Sequence, residues 1–178
     1  LDFTSPLTRT SFQACLNGHY CVSGEALVCP LGSWCADGEQ NKCDAGLLGD
    51  AAGLNTSACN GDCPQGYWCP QASTAAKPCL PGTFGNKTGL KAASNCTMTP
   101  PGYYSSLGSR SPQECGGSSL YCPGGEGEPR EVRPGYESFT DTALVRSRRL
   151  SGTVSPLDEL THTSERPCAI GHECVSGR

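Results

Sequence analysis

The sequence predicts a small disulfide-rich fold: elongated tandem cysteine-rich modules carrying short β-hairpins, with little or no helix. Three observations lead there. Cysteine is dense, fourteen in 178 residues, which is close to the density of disulfide scaffolds. Core-building side chains are scarce, because Leu, Val, Ile and Phe together number 27, below what ordinary globular packing needs. The cysteines also recur in repeated contexts at two scales, which is the mark of a repeat architecture. The 23 glycines and 14 prolines disfavour long helices and continuous sheet. Crosslinks must therefore replace burial. A bridge closing a loop of ~15 residues contributes on the order of 3 kcal/mol. Such bridges persist in oxidising compartments, so an extracellular or cell-surface location is expected.

Taken in order, residues 1–14 read as an N-terminal segment, and residues 15–136 as the cysteine-rich region. Its submodules run over about 15–43, 43–79 and 79–136. The short repeated unit is Cys-x-x-Gly-x-aromatic-Cys: Cys15 to Cys21, Cys29 to Cys35 and Cys63 to Cys69. Cys168 to Cys174 keeps the spacing with Glu173 at the aromatic place. Glycine after two intervening residues permits a tight turn, often at positive φ. Between the units lie two longer loops that align with each other. One runs from Cys43 through Gly46, Gly49, Gly53-Leu54 and Ser57 to Cys59. The other runs from Cys79 through Gly82, Gly85, Gly89-Leu90 and Ser94 to Cys96. Each loop is expected to close on itself, Cys43 with Cys59 and Cys79 with Cys96. The turns Pro100-Pro-Gly-Tyr-Tyr and Arg133-Pro-Gly-Tyr136 are relatives of the short unit without its cysteine. In the first of them Pro100 is read at the place of Cys63, so that one bridge has dropped out. Cys115 and Cys122 complete this region.

Residues 137–163, rich in Ser and Thr and free of cysteine, read as a linker, and residues 164–178 as the start of a next repeat. Residues 137–150 carry the best helical propensity of the chain, but neither a cap nor a clean apolar stripe. The long period is explicit: residues 8–24 recur at 161–177, with ten of seventeen positions identical. The chain is thus expected to be one full repeat plus the opening of another. Whether Cys15 and Cys21 bond to each other or reach forward to Cys29 and Cys35 stays open, and the Cys168–Cys174 pair should follow the same rule.

The strings CPLGSWC, CPQGYWCP, CLPGTFG, PPGYYS and YCPGG…VRPGYES resemble the ephrin-receptor-like cysteine-rich repeat, itself similar to modules of the tumour necrosis factor receptor. The closer likeness is to long arrays in large surface and secreted proteins of protists and algae. Residues 8–136, about three quarters of the chain, carry the resemblance. It implies a ladder-like module held by bridges, in extracellular architecture or adhesion, without catalytic residues. The lost cysteine at Pro100, the insertion around 140–160 and Glu173 depart from the pattern.

Other chemistries are weighed on the same residues. Zinc ligands usually come as closely spaced cysteine pairs, and only Cys59 and Cys63 have that spacing. His19 and His172 hold equivalent turn positions. Catalysis lacks a constellation, since no Ser or Cys motif stands near a plausible base, and no cofactor is expected. The net charge of −4 argues against nucleic acid. No apolar run is long enough to span a membrane, and Leu1 opens no signal peptide, as in a mature product or an excised segment. Three sequons mark Asn55, Asn86 and Asn95 for N-linked glycans, the last with Cys96 inside it. Arg146-Ser-Arg148-Arg149 has the form of a secretory processing site. The expected function is a structural repeat unit of an extracellular glycoprotein filament, coat or surface appendage, self-associating head to tail as a homopolymer. The alternative is a ligand- or glycan-binding ectodomain module.

Overall fold

A computed structural model describes residues 13–140, 162–169 and 174. It is a small disulfide-rich fold of two-stranded antiparallel hairpins, with one 3-10 turn at Ala93–Asn95 among the described residues. Two compact units divide the chain: Leu1–Asp62 with Pro70–Ala75, and Cys63–Cys69 with Ala76–Arg178.

In the first unit β1 (His19–Val22) pairs with β2 (Glu25–Val28), and β3 (Ser33–Ala36) with β4 (Glu39–Lys42). Both hairpins turn on two residues at positive φ, Ser23-Gly24 and Asp37-Gly38. That is the turn whose twist matches the strands. In the second unit β5 (Tyr67–Trp68) pairs with β6 (Lys77–Pro78), and β7 (Thr83–Phe84) with β8 (Thr97–Met98). Then β9 (Tyr103–Tyr104) pairs with β10 (Gln113–Glu114), β11 (Leu120–Tyr121) with β12 (Arg130–Glu131), and β13 (Tyr136–Phe139) with β14 (Ser164–Pro167).

Each hairpin is a rung built on one plan. An opening residue is followed three places on by a turn glycine and, in most rungs, six places on by a closing residue; the rung opened by Cys115 departs from this, its turn carbonyl being that of Ser119, which accepts from Val132. The residue after the return strand opens the next rung. Its N–H donates back to the turn glycine's carbonyl: Cys29 to Gly18, Cys43 to Gly32, Cys79 to Gly66, Thr99 to Gly82, Cys115 to Gly102 and Cys168 to Gly135, at 2.8–2.9 Å. Successive rungs are then joined through main-chain groups. The turn glycine's N–H donates to the closing carbonyl of the rung that follows: Gly18 to Cys35, Gly32 to Gly49, Gly66 to Gly85, Gly82 to Ser105 and Gly102 to Cys122, at 2.7–2.9 Å. The closing residue's own N–H donates to a carbonyl in the following rung's loop. Examples are Cys21 to Gly38, Cys35 to Leu54, Cys69 to Leu90 and Ser105 to Glu126. The crowding explains the glycine. At Gly66, with φ +84°, a Cβ would collide with the carbonyl oxygen of Gly108, and the backbone conformation itself disfavours any side chain.

The core is made of sulfur. Cys29, Cys35, Cys43, Cys63, Cys69, Cys79 and Cys122 are fully buried and Cys115 nearly so; among the described residues Phe84 is the remaining buried hydrophobic residue.

Two expectations are corrected by this plan. The opening position of the PPGYYS rung is held by Thr99, and its closing position by Ser105. Pro100 aligns with Pro64, one place later than Cys63. The supposed linker begins and ends inside a hairpin. Residues 137–139 belong to β13, Thr163 donates to the carbonyl of Phe139, and β14 returns from the insertion to pair with β13. Residues 137–139, at the start of the stretch with the best helical propensity, are strand, in keeping with the expectation of little or no helix; residues 141–150 lie outside the described residues.

Candidate functional site

All fourteen cysteines are bridged. Short pairs close the rungs: Cys15–Cys21, Cys29–Cys35, Cys63–Cys69, Cys115–Cys122 and Cys168–Cys174. Cys43–Cys59 and Cys79–Cys96 close the two aligned loops. In those two rungs Gly49 and Gly85 take the closing position, and the second cysteine moves out to the loop's far end. Cys15 therefore bonds within its own rung, and Cys168 does likewise. Cys59 and Cys63 enter separate bridges, and no cluster of three metal-binding side chains occurs among the described residues.

Thr99 and Ser105 are the most unusual positions. Both are fully buried, and their hydroxyl oxygens have no hydrogen-bond partner in the fold. A buried hydroxyl without a partner is costly. The pair sits at the spacing where neighbouring rungs carry a disulfide. Its register was hidden in the sequence by the doubled proline.

At the insertion, the Ser138 hydroxyl lies against His162 Nδ1 and donates to the Ser118 carbonyl at 2.6 Å. No such pair was expected from the sequence, where the two residues stand 24 apart. The hydroxyl proton is directed to a backbone carbonyl, so the contact fastens the mouth of the insertion. Ion pairs cross the same hairpin. Arg133 Nε donates to Glu165 at 2.5 Å and the Arg133 backbone N–H donates to the same carboxylate at 3.0 Å, while Arg166 donates to Glu137 at 2.7 Å. The Arg133 N–H, and then its guanidinium, hold the Glu165 carboxyl below its ordinary value, and Glu165 in turn raises Arg133. The guanidinium groups of Arg133 and Arg166 also lie over the rings of Tyr136 and Phe139, at 4.2 and 5.1 Å. Charge of both signs thus clasps a four-residue hairpin whose two strands are separated by a long insertion.

The sequon asparagines Asn55, Asn86 and Asn95 are all exposed. Asn95 differs from the others, because its side-chain oxygen accepts the N–H groups of Lys91 and Ala92 at 3.2 and 3.1 Å, and Cys96 beside it is bridged. Arg146, Arg148, Arg149 and His172 lie outside the described residues. Seven bridges mark an oxidising setting, outside the cell or on the secretory route. Among the described residues no helix is long and apolar enough to cross a membrane. The chain matches no protein-family model and shows no significant similarity to a curated protein.

Proposed function

We propose that the chain is a structural repeat unit of an extracellular glycoprotein filament, coat or surface appendage, associating head to tail. The polarity of the main-chain ladder carries this reading. Toward the rung that follows, the turn glycine and the closing residue donate their N–H groups, while the turn-glycine and opening carbonyls accept bonds back, as from Cys29 to Gly18 and from Gly53 to Cys29. The two sides of such a rung present different groups, so a contact between copies that continued the pattern would be heterologous. A heterologous contact that does not close continues into a filament. Other features support the same reading: the two-scale repetition, the likeness to ephrin-receptor-like arrays, and the exposure of Asn55, Asn86 and Asn95. The reading assigns the chain no catalytic role. Its partners are further copies of itself and N-linked glycans.

Electron microscopy of the purified, fully oxidised chain over a concentration series tests the proposal, with sedimentation velocity alongside. Linear assemblies that lengthen with concentration are expected. A monodisperse monomer throughout would overturn the reading in favour of a ligand- or glycan-binding module.

A further inference from the structure

Every bridge in the chain is local. The seven follow one another in sequence, and none spans or interleaves with another. With all fourteen cysteines used in this way, no disulfide ties one rung to the next. The links between rungs are weaker. In the second unit main-chain hydrogen bonds run both ways between them, as from Gly66 to Gly85 and from Gly89 to Cys63. The strands there are two to four residues long, and apart from cysteine Phe84 is the buried hydrophobic residue among those described. Crosslinks that resist stretching join elements distant in sequence, because each removes the chain between them from the loaded path. A local bridge removes its own loop and nothing more.

A chain pulled along its length therefore carries the load through each bridge in turn. Once the contacts between rungs part, the uncrosslinked segments extend, and each bridge still holds back its own loop. The lengths held differ. Cys29–Cys35 and Cys63–Cys69 have a sequence separation of 6 across a Cα distance of 5.7 Å. Cys43–Cys59 and Cys79–Cys96 have separations of 16 and 17 across 6.0 and 5.9 Å. At about 3.5 Å per extended residue, opening either short bridge frees about 15 Å of chain, and opening either loop bridge about 50 Å.

Burial decides when a loop can be released. Cys29, Cys35, Cys63, Cys69 and Cys122 are fully buried and Cys115 is 1 % exposed, so three bridges are shielded while their rungs are folded. Thiol–disulfide exchange needs a thiolate to reach a sulfur. Cys59 and Cys96 are only half-buried, which leaves one end of each loop bridge less protected. We propose that the chain is an extensible tether, and that Cys29–Cys35, Cys63–Cys69 and Cys115–Cys122 are latent exchange sites for an external thiol, exposed when tension parts their rungs. In the exchange an external thiolate attacks one sulfur and forms a mixed disulfide with it. The S–S bond breaks, the other cysteine leaves as a thiolate, and the loop joins the loaded path. This goes beyond the filament reading, and it holds whether the load comes from another copy or from a different molecule.

Single-molecule force spectroscopy of the full oxidised chain, held by its two ends, tests this with and without dithiothreitol. Without thiol, extension should stop at a fixed length set by the bridges. With thiol, further steps should follow under load: about 15 Å from each of Cys29–Cys35 and Cys63–Cys69, and about 50 Å from each loop bridge. If the short steps do not occur, tension does not expose those sulfurs and the proposal falls. Cys63→Ala/Cys69→Ala should remove one short step and keep the other; persistence of both overturns the assignment. The unloaded wild type supplies a reading that needs no substitution, by alkylation and peptide mapping at the same thiol concentration, native and in urea. Cys29, Cys35, Cys63, Cys69, Cys115 and Cys122 should be labelled at least about tenfold more slowly in the native chain. Equal rates in the two conditions would show that these bridges are not latent. Neither measurement reads assembly, so the filament reading stands or fails on its own test.

Discussion

Replacing Thr99 and Ser105 together by cysteine should create an eighth disulfide. Both residues are fully buried at the opening and closing positions of their rung. Their sequence separation is the six found in Cys29–Cys35 and Cys63–Cys69, whose Cα atoms stand 5.7 Å apart. Closing a loop of about seven residues lowers the entropy of the unfolded chain by an amount worth about 2.4 kcal/mol at 25 °C. Removing two buried hydroxyls that lack partners relieves a further ~1 kcal/mol each. A gain of roughly 3–5 kcal/mol in the second unit is therefore expected. The assay is a urea titration followed by Trp68 fluorescence in a Trp34→Phe background, so that the signal comes from the second unit alone. Peptide mapping must show the 99–105 bridge with the seven native ones intact. The reasoning is refuted if the two new thiols stay free, or if the bridge forms and the midpoint does not rise.

Three further outcomes follow from the same structure. Gly66→Ala should destabilise the second unit by about 2 kcal/mol or more, from left-handed backbone strain and the collision with the Gly108 carbonyl, read in the same titration. Because the Glu165 carboxyl is depressed, its pairing with Arg133 stabilises the β13–β14 hairpin fully above the ordinary carboxylate range. That contribution is lost as pH falls below about 4.3 and through the lower folded value. Protection of the amides at residues 136–139, measured against the intrinsic exchange rate at each pH, should fall over that window, and Glu165→Gln should flatten the dependence. Finally, secretion from a eukaryotic host should glycosylate Asn55 and Asn86 more fully than Asn95, whose side chain and neighbouring cysteine are already engaged. Glycopeptide occupancy measures this directly, and equal occupancy at all three would contradict it.

Much of the fold was legible because its determinants are local. Cysteines six apart with an intervening glycine imply a tight bridged turn, and the aligned Gly-Leu and Ser positions tie the Cys43 and Cys79 loops together. What escaped was any feature without a covalent or glycine marker. Thr99 and Ser105 keep the small volume of cysteine but not its chemistry, so the rung could be located but not its register. The pairing of β13 with β14 left no signal, since four-residue strands separated by a polar insertion carry too short a pattern to align. For the same reason neither the Ser138–His162 contact nor the Arg133–Glu165 pair was visible before the hairpin closed.

The rungs differ chiefly in how far the chain travels between a hairpin's two strands. The tips hold two residues after β1 and β3, eight after β5, β9 and β11, twelve after β7 and twenty-four after β13. From opening residue to turn glycine the count barely varies, because main-chain bonds to the neighbouring rungs fix it. Length added at a tip disturbs none of those bonds, and loop closure makes each doubling cost only about 0.6 kcal/mol. Such a molecule can lengthen, decorate or recode its outer margin while the spacing of its interior stays fixed. The 140–161 insertion is one such enlargement, and a foreign peptide grafted at that tip should leave the bridged rungs on either side intact.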